Sequence, residues 1–304
     1  MLILLFLALA GVSHAGQITE YRVIRKPVKD QKGRAGVAIR SFRSDQVAHL
    51  LVVDPVTLES FDLPASALTF SDPSDEASLA ATSLMKALDR YSLAPYRLQN
   101  GGAIRAQTPV EGVFLTVDLC PSKRPFEREL FEAAGALCNG APVPVAVAVT
   151  GLWLANHPDE VAYLKQETAA GRLAITWVNH SYHHDYHPKV PLEQNFLLTP
   201  GVDMLAEVLD LEQQLLARDL VPSPFFRFPG LVSDQAAMSR LRELSLIPIG
   251  SDAWLAKGES PGKGSFILVH GNGNEPKGVK LLLPMLRSKQ MQLLPLPAAF
   301  GKAG

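Results

Sequence analysis

Leu173-Ala174-Ile175-Thr176-Trp177-Val178-Asn179-His180-Ser181-Tyr182-His183-His184 is the stretch from which the rest of the chain can be read. Its first six residues form an apolar run that reads as a buried strand of a parallel sheet, and histidines gather where that strand ends. Neutral imidazole is a common zinc ligand, and one turn of chain could aim His180 and His184 at one ion. His183 and His187 share that spacing, so spacing alone leaves two pairs. Four other strand-like segments also finish in residues that hydrolytic chemistry needs. Asp118 follows Val113-Phe114-Leu115-Thr116-Val117, and Arg227 follows Phe225-Phe226. Asp252 comes soon after Leu246-Ile247-Pro248-Ile249, and His270 follows Phe266-Ile267-Leu268-Val269. In α/β sheets and barrels, that rim is where active sites are built.

From Val113 onward strand and helix alternate. Val143-Pro144-Val145-Ala146-Val147-Ala148-Val149 and a late Gln292-Leu293-Leu294-Pro295-Leu296 add strands, and amphipathic helices are predicted over residues 125–137, 158–170, 202–219, 234–245 and 278–288. Such alternation predicts an α/β unit of parallel strands covered by helices, as an open sheet or a barrel, over residues 107–304. Residues 16–106 have a different texture. Short β-leaning segments at 21–24, 36–42 and 49–53 precede one helix predicted at 76–91, which suggests a small, β-rich α+β accessory domain. A turn-rich stretch, from Asn100-Gly101-Gly102 to Pro109, is expected to separate the two.

With 304 residues, 47% of them hydrophobic and 19% charged, the chain is long enough for one full core and a smaller unit. A net charge of −1 lacks the basic footprint of nucleic-acid binders, so nucleic acid is not expected as a partner. Leu2-Ile3-Leu4-Leu5-Phe6-Leu7-Ala8-Leu9-Ala10 is too short to span a bilayer, and Ser13-His14-Ala15 offers small residues for cleavage, so residues 1–15 read as a signal peptide. No later segment has the length of a membrane helix, and an exported protein without an integral membrane span is expected, periplasmic or secreted. The helix predicted between Cys120 and Cys138 would rise roughly 18 Å over about 12 residues, beyond the ~7 Å that a disulfide spans between Cα atoms. Two separate thiols are expected.

In order, Thr116-Val117-Asp118-Leu119, His180-Ser181-Tyr182-His183-His184, Arg227-Phe228-Pro229-Gly230, Asp252-Ala253-Trp254 and Leu268-Val269-His270 resemble the motifs of the polysaccharide deacetylases, the NodB-type carbohydrate esterases. Those motifs read T-F-D-D, H-S/T-x-x-H, R-x-P-Y, a segment with Asp and Trp, and L-x-H. The resemblance implies a distorted (β/α) barrel and metal-assisted removal of N-acetyl groups from an amino-sugar polymer. It also implies roles. His180 and His184 would hold a divalent metal, zinc above all, and Asp118 would be the base that takes a proton from water. Arg227 would orient Asp118, His270 would protonate the leaving amine, and Asp252 would orient His270. Gly230 stands where the family has Tyr; its N–H can still face the oxyanion, but an aromatic wall is lost. Trp254 is the candidate substrate platform. Leu119 replaces an aspartate ligand of the metal, which leaves Asp118, Asp185, Cys120 or water alone as the possible third donor. The alternative to an enzyme is a non-catalytic carbohydrate-binding or scaffolding descendant of the same fold.

Overall fold

In the computed structural model, which describes residues 16–71 and 79–301, the chain forms two sheets. The leader expected over residues 1–15 and the start of the helix expected from 76 lie outside the described residues.

The first sheet is antiparallel. It contains β1 (Ile18–Asp30), β2 (Ala35–Ser44), β3 (Val47–Val53), β4 (Ser60–Pro64) and β5 (Leu68–Phe70), in the order β4-β3-β2-β1-β5. Strand alternation sends Val37, Ile39, Leu51 and Val53 to one face. A register shift between Ala38 and Arg40 then brings Phe42 onto that face as well.

Helix α1 (Ser83–Ser92) leads to the α/β part, capped by the Thr82 side chain. There follow β6 (Phe114–Leu119), α2 (Arg128–Gly135), β7 (Val143–Val149), α3 (Gly151–Asn156), α4 (Pro158–Ala169), β8 (Leu173–Asn179), α5 (Met204–Leu216), β9 (Pro222–Phe226), α6 (Gln235–Glu243), β10 (Ile247–Pro248), β11 (Ala253–Trp254), β12 (Phe266–His270) and α7 (Pro276–Arg287). Seven strands pair in the order β10-β9-β8-β7-β6-β12-β11, every neighbour parallel. Because β12 returns beside β6, the sheet curls towards a barrel but stays open between the two-residue edges β10 and β11. Leu115, Val117, Val145, Val147 and Val149 face the covering helices, while Phe114, Ala146, Ala148 and Val178 face the opposite way.

Several expectations meet a different outcome. Residues 292–296 supply only a bridge from Leu293 to Val113, and Pro295, which has no N–H for a ladder, opens a 3-10 turn at Leu296–Ala299. The six-residue α3 is too short to show periodicity. The supposed separator is wired into the parallel sheet: Ala103 N–H donates to Pro248 and Gly250 N–H donates to Ala103, while Arg105 bridges Ser265 beyond the gap. The inner face of the first sheet also joins Phe114, Val178, Phe225 and Phe266 in one apolar cluster. At its edge, buried Arg40 makes a bidentate pair with Glu212 of α5 at 2.7 and 2.9 Å, and Tyr21 donates to the same carboxylate.

Candidate active site and metal centre

The strand ends position the site. In the ladder between β6 and β12, His270 stands opposite Asp118, so parallel pairing places two residues 152 positions apart side by side on the rim. Alternation along β6 sends Leu119 into the helix-side core with Val117. Asp118 and Cys120 instead line the cavity above the sheet, which has a volume of about 630 Å³. His180, His184, Gly230, Trp254 and His270 line it too.

Asp118 is held from two sides. Arg227 at the end of β9 donates from Nη1 to Oδ1 at 3.2 Å, and His180 Nε2 lies 3.7 Å from Oδ2. Arg227 Nη2 also donates to the Gly250 carbonyl. Burial lowers the guanidinium pKa of Arg227, and the Asp118 carboxylate opposes that shift.

The histidine loop is clamped by the first turn of α5. Glu207 accepts hydrogen bonds from the backbone N–H groups of Tyr182 and His183, and its other oxygen meets His183 Nδ1 at 2.5 Å. His183 Nδ1 is thereby taken up by Glu207, and among the described residues the donors that come together are those of His180 and His184 with Cys120. Ser181 and His184 both adopt left-handed φ, +67° and +56°, and this bend brings the His184 ring to a centroid distance of 4.8 Å from His180. His180 Nδ1 lies 2.7 Å from the Arg227 carbonyl, which can only accept, so the proton sits on Nδ1 and Nε2 presents a lone pair to the cavity. Such a carbonyl behind the ring is the usual support of a metal-bound histidine. Burial lowers the His180 pKa and favours the neutral ligand form, against the pull of Asp118. His184 Nε2 is buried without a hydrogen-bond partner. The ligand atoms of Cys120, His180 and His184 all lie within 4.8 Å of one another and could hold a metal ion. Asp185 lines the cavity but is exposed and lies outside that group.

Asp252 is not where the motif reading puts it. Its carboxylate accepts from Phe266 N–H at 3.1 Å and from Ser265 Oγ, and Arg105 approaches it. It therefore sits at the start of β12, a strand's length from His270, because β11 pairs in parallel with β12 and leaves the preceding residue at the entry end. The partner of His270 is Glu275, whose Oε2 lies 2.9 Å from Nδ1 as an ion pair off the ideal N–H direction. The same oxygen accepts from Trp254 Nε1 at 2.7 Å. Glu275 belongs to none of the motifs; its one signal in the sequence is its place in the loop just after His270. Burial opposes protonation of His270, yet Cys120, Glu275 and Asp118 together raise its pKa well above the usual histidine range. Burial pushes the Cys120 thiol up, but His184 and His270 bring it down to about 7. Both cysteines are free thiols, Cys120 buried and Cys138 exposed.

Residues 19–76 match the family model described as the RP012 protein N-terminal domain. Among solved structures, a family 4 carbohydrate esterase from Bacillus anthracis is 17% identical, with 69% of this chain and 88% of that one covered at a TM-score of 0.48. Bacillus subtilis PdaA, also a family 4 carbohydrate esterase, is 14% identical, covers 71% and 88%, and scores 0.49. A pseudoenzyme of that family from Bacillus anthracis is 13% identical, covers 69% and 70%, and scores 0.43. The chain is similar to family 4 carbohydrate esterases.

Two departures from the polysaccharide-deacetylase motifs that the sequence resembles have a visible structural counterpart. Position 119, a ligand in the motif, holds a core leucine, and the donor grouped with the two imidazoles is Cys120, 3.6 Å from His180 Nε2. Gly230 has φ +59°, and a Cβ there would meet the Phe196 ring at 2.4 Å. Phe196 thus fills the space beside Gly230. It stacks on Tyr186 at 5.1 Å and meets His184 edge-on, so an aromatic wall is supplied from the loop after β8.

Proposed function

We propose that this chain is an exported, zinc-dependent hydrolase that removes N-acetyl groups from an amino-sugar polymer. The convergence of Asp118, His180, His184 and His270 on one cavity, with buried Arg227 bonded to Asp118, carries this reading. The apolar leader over residues 2–10 supports export, and among the described residues no helix is long and apolar enough to cross a membrane.

The imidazoles of His180 and His184 suit zinc, one being neutral and carbonyl-backed and the other having a free buried nitrogen. A bound zinc would polarise the acetyl carbonyl and acidify a water molecule. Asp118, fixed by Arg227, is placed to accept the proton of an attacking water, and this is general-base work for a carboxylate that cannot swing away. His270 carries the proton that the departing amine needs, held by Glu275. The backbone N–H of Gly230 would face the developing oxyanion. Trp254, fixed through Nε1 and with the Lys257 ammonium over its ring, and the Tyr186–Phe196 stack line the same cavity and offer aromatic surface to a sugar ring.

The test is acetate release from N-acetylated glycan oligomers by the mature, zinc-loaded protein, with Asp118→Asn as control. Release by wild type, cut by at least about 100-fold in the variant, is expected from the loss of a general base. Glycan binding by the wild type without acetate release would favour instead the non-catalytic descendant, to which the loss of a carboxylate at position 119 points.

A further inference from the structure

We propose that Cys120 is the third protein ligand of the metal, so that the centre is a Cys-His-His site displaced by one residue from the aspartate position of the deacetylase motif. The inference rests on the reading of this cavity as a metal centre, not on the acetyl chemistry.

Strand geometry comes first. In this chain β6 stays extended through Leu119, whose side chain enters the helix-side core, so the neighbours of Asp118 on its own face are Thr116 and Cys120. Thr116 spends its hydroxyl on the Ile267 carbonyl at 2.6 Å. Cys120 is free, buried and held in place by Asn272, which donates to the Cys120 carbonyl at 2.6 Å. The distances come next. Around a tetrahedral zinc, with sulfur at about 2.3 Å and nitrogen at about 2.05 Å, the S···N edge is about 3.6 Å. Cys120 Sγ lies 3.6 Å from His180 Nε2, and the donor of His184 completes a group no wider than 4.8 Å. Among the described residues none hydrogen-bonds to buried His184 Nε2, which leaves that nitrogen available as a ligand.

The substitution keeps the charge of the centre. One thiolate with two neutral imidazoles leaves a divalent ion at net +1, as one carboxylate would, while Asp118 stays with Arg227 as a base. It changes the softness. A thiolate favours zinc and cobalt over manganese or magnesium, whose preferred donors are oxygens.

The test uses the full mature protein. Cobalt(II) loading of wild type and of Cys138→Ser should give a thiolate-to-metal charge-transfer band in the near ultraviolet, absent from Cys120→Ser. Zinc should bind one ion per chain, and Cys120→Ser should weaken it by at least about 100-fold, beyond the 10- to 100-fold typical of losing an outer-shell partner. Cys120→Asp should bind again, with preference shifted towards manganese. A cobalt protein without a thiolate band, or equal zinc affinity in wild type and Cys120→Ser, would overturn the proposal. The spectrum of Cys138→Ser, changed at an exposed thiol outside the cavity, decides even if Cys120→Ser fails to fold. A protein that binds zinc through Cys120 yet releases no acetate leaves this inference standing and removes the deacetylase reading.

Discussion

Leu119 and Gly230 are the two residues at which this chain parts from the deacetylase motifs, and each is held by packing. Leu119 is fully buried against Val117 and the helices. Restoring the motif with Leu119→Asp should therefore place a carboxylate in an apolar core. We expect a loss of about 3–5 kcal/mol in denaturant unfolding, with no gain in zinc affinity by calorimetry. Tighter zinc binding in Leu119→Asp would show that β6 can turn over. Gly230 needs both its positive φ and the room that Phe196 takes up. Gly230→Ala should cost about 1–3 kcal/mol, and pairing it with Phe196→Ala should relieve the overlap. Additive losses in the double variant would mean that the ring and the glycine are not coupled.

Among elements, the loop joining β12 to α7 has the clearest consequence. It returns Glu275 to His270, whereas the segment before β11 leaves Asp252 at the entry end of its neighbour. Glu275 helps hold the His270 pKa up, and its neutralisation lowers that pKa. The limb of kcat/KM that is lost as pH rises through His270 should thus move to lower pH in Glu275→Gln. The rate at alkaline pH should fall by less than the ~100-fold or more expected for loss of the acid itself. Glu275→Asp should recover part of the shift, and Asp252→Asn should leave the limb in place. A limb that moves with Asp252 and not with Glu275 would reverse the assignment. The helix over 125–137 was legible by its periodicity but is observed only at Arg128–Gly135.

For the molecule as a whole, the antiparallel sheet shares an apolar cluster with the parallel one. Val37, Ile39, Leu51 and Val53 are buried against the inner face of the parallel sheet, each worth about 1.5–3 kcal/mol. A chain reduced to residues 107–304 should expose that face, bind a hydrophobic dye and aggregate; a soluble, cooperatively melting fragment would argue for an independent unit. At the junction, Arg40→Leu should cost about 3–5 kcal/mol because Glu212 is left charged and buried. Arg40→Leu with Glu212→Leu should lose less than the single variant. If the double change is as harmful as the sum, the pair contributes more than its desolvation cost.

Local pattern was enough for the alternation of β6 to β9 with their helices and for the rim position of Asp118, His180, Arg227 and His270. Such features follow from periods of two and 3.6 and from residue types at strand ends, all local to the chain. The proposed third donor, the partner of His270, the ring beside Gly230 and the fusion of the two sheets depend on tertiary structure. Cys120 was one of several candidates until strand direction and the bend at Ser181 and His184 brought three donors together. Glu275, Phe196 and Arg40 meet their partners across loops and sheets, and such contacts are set by how elements pack, which no short window of sequence encodes.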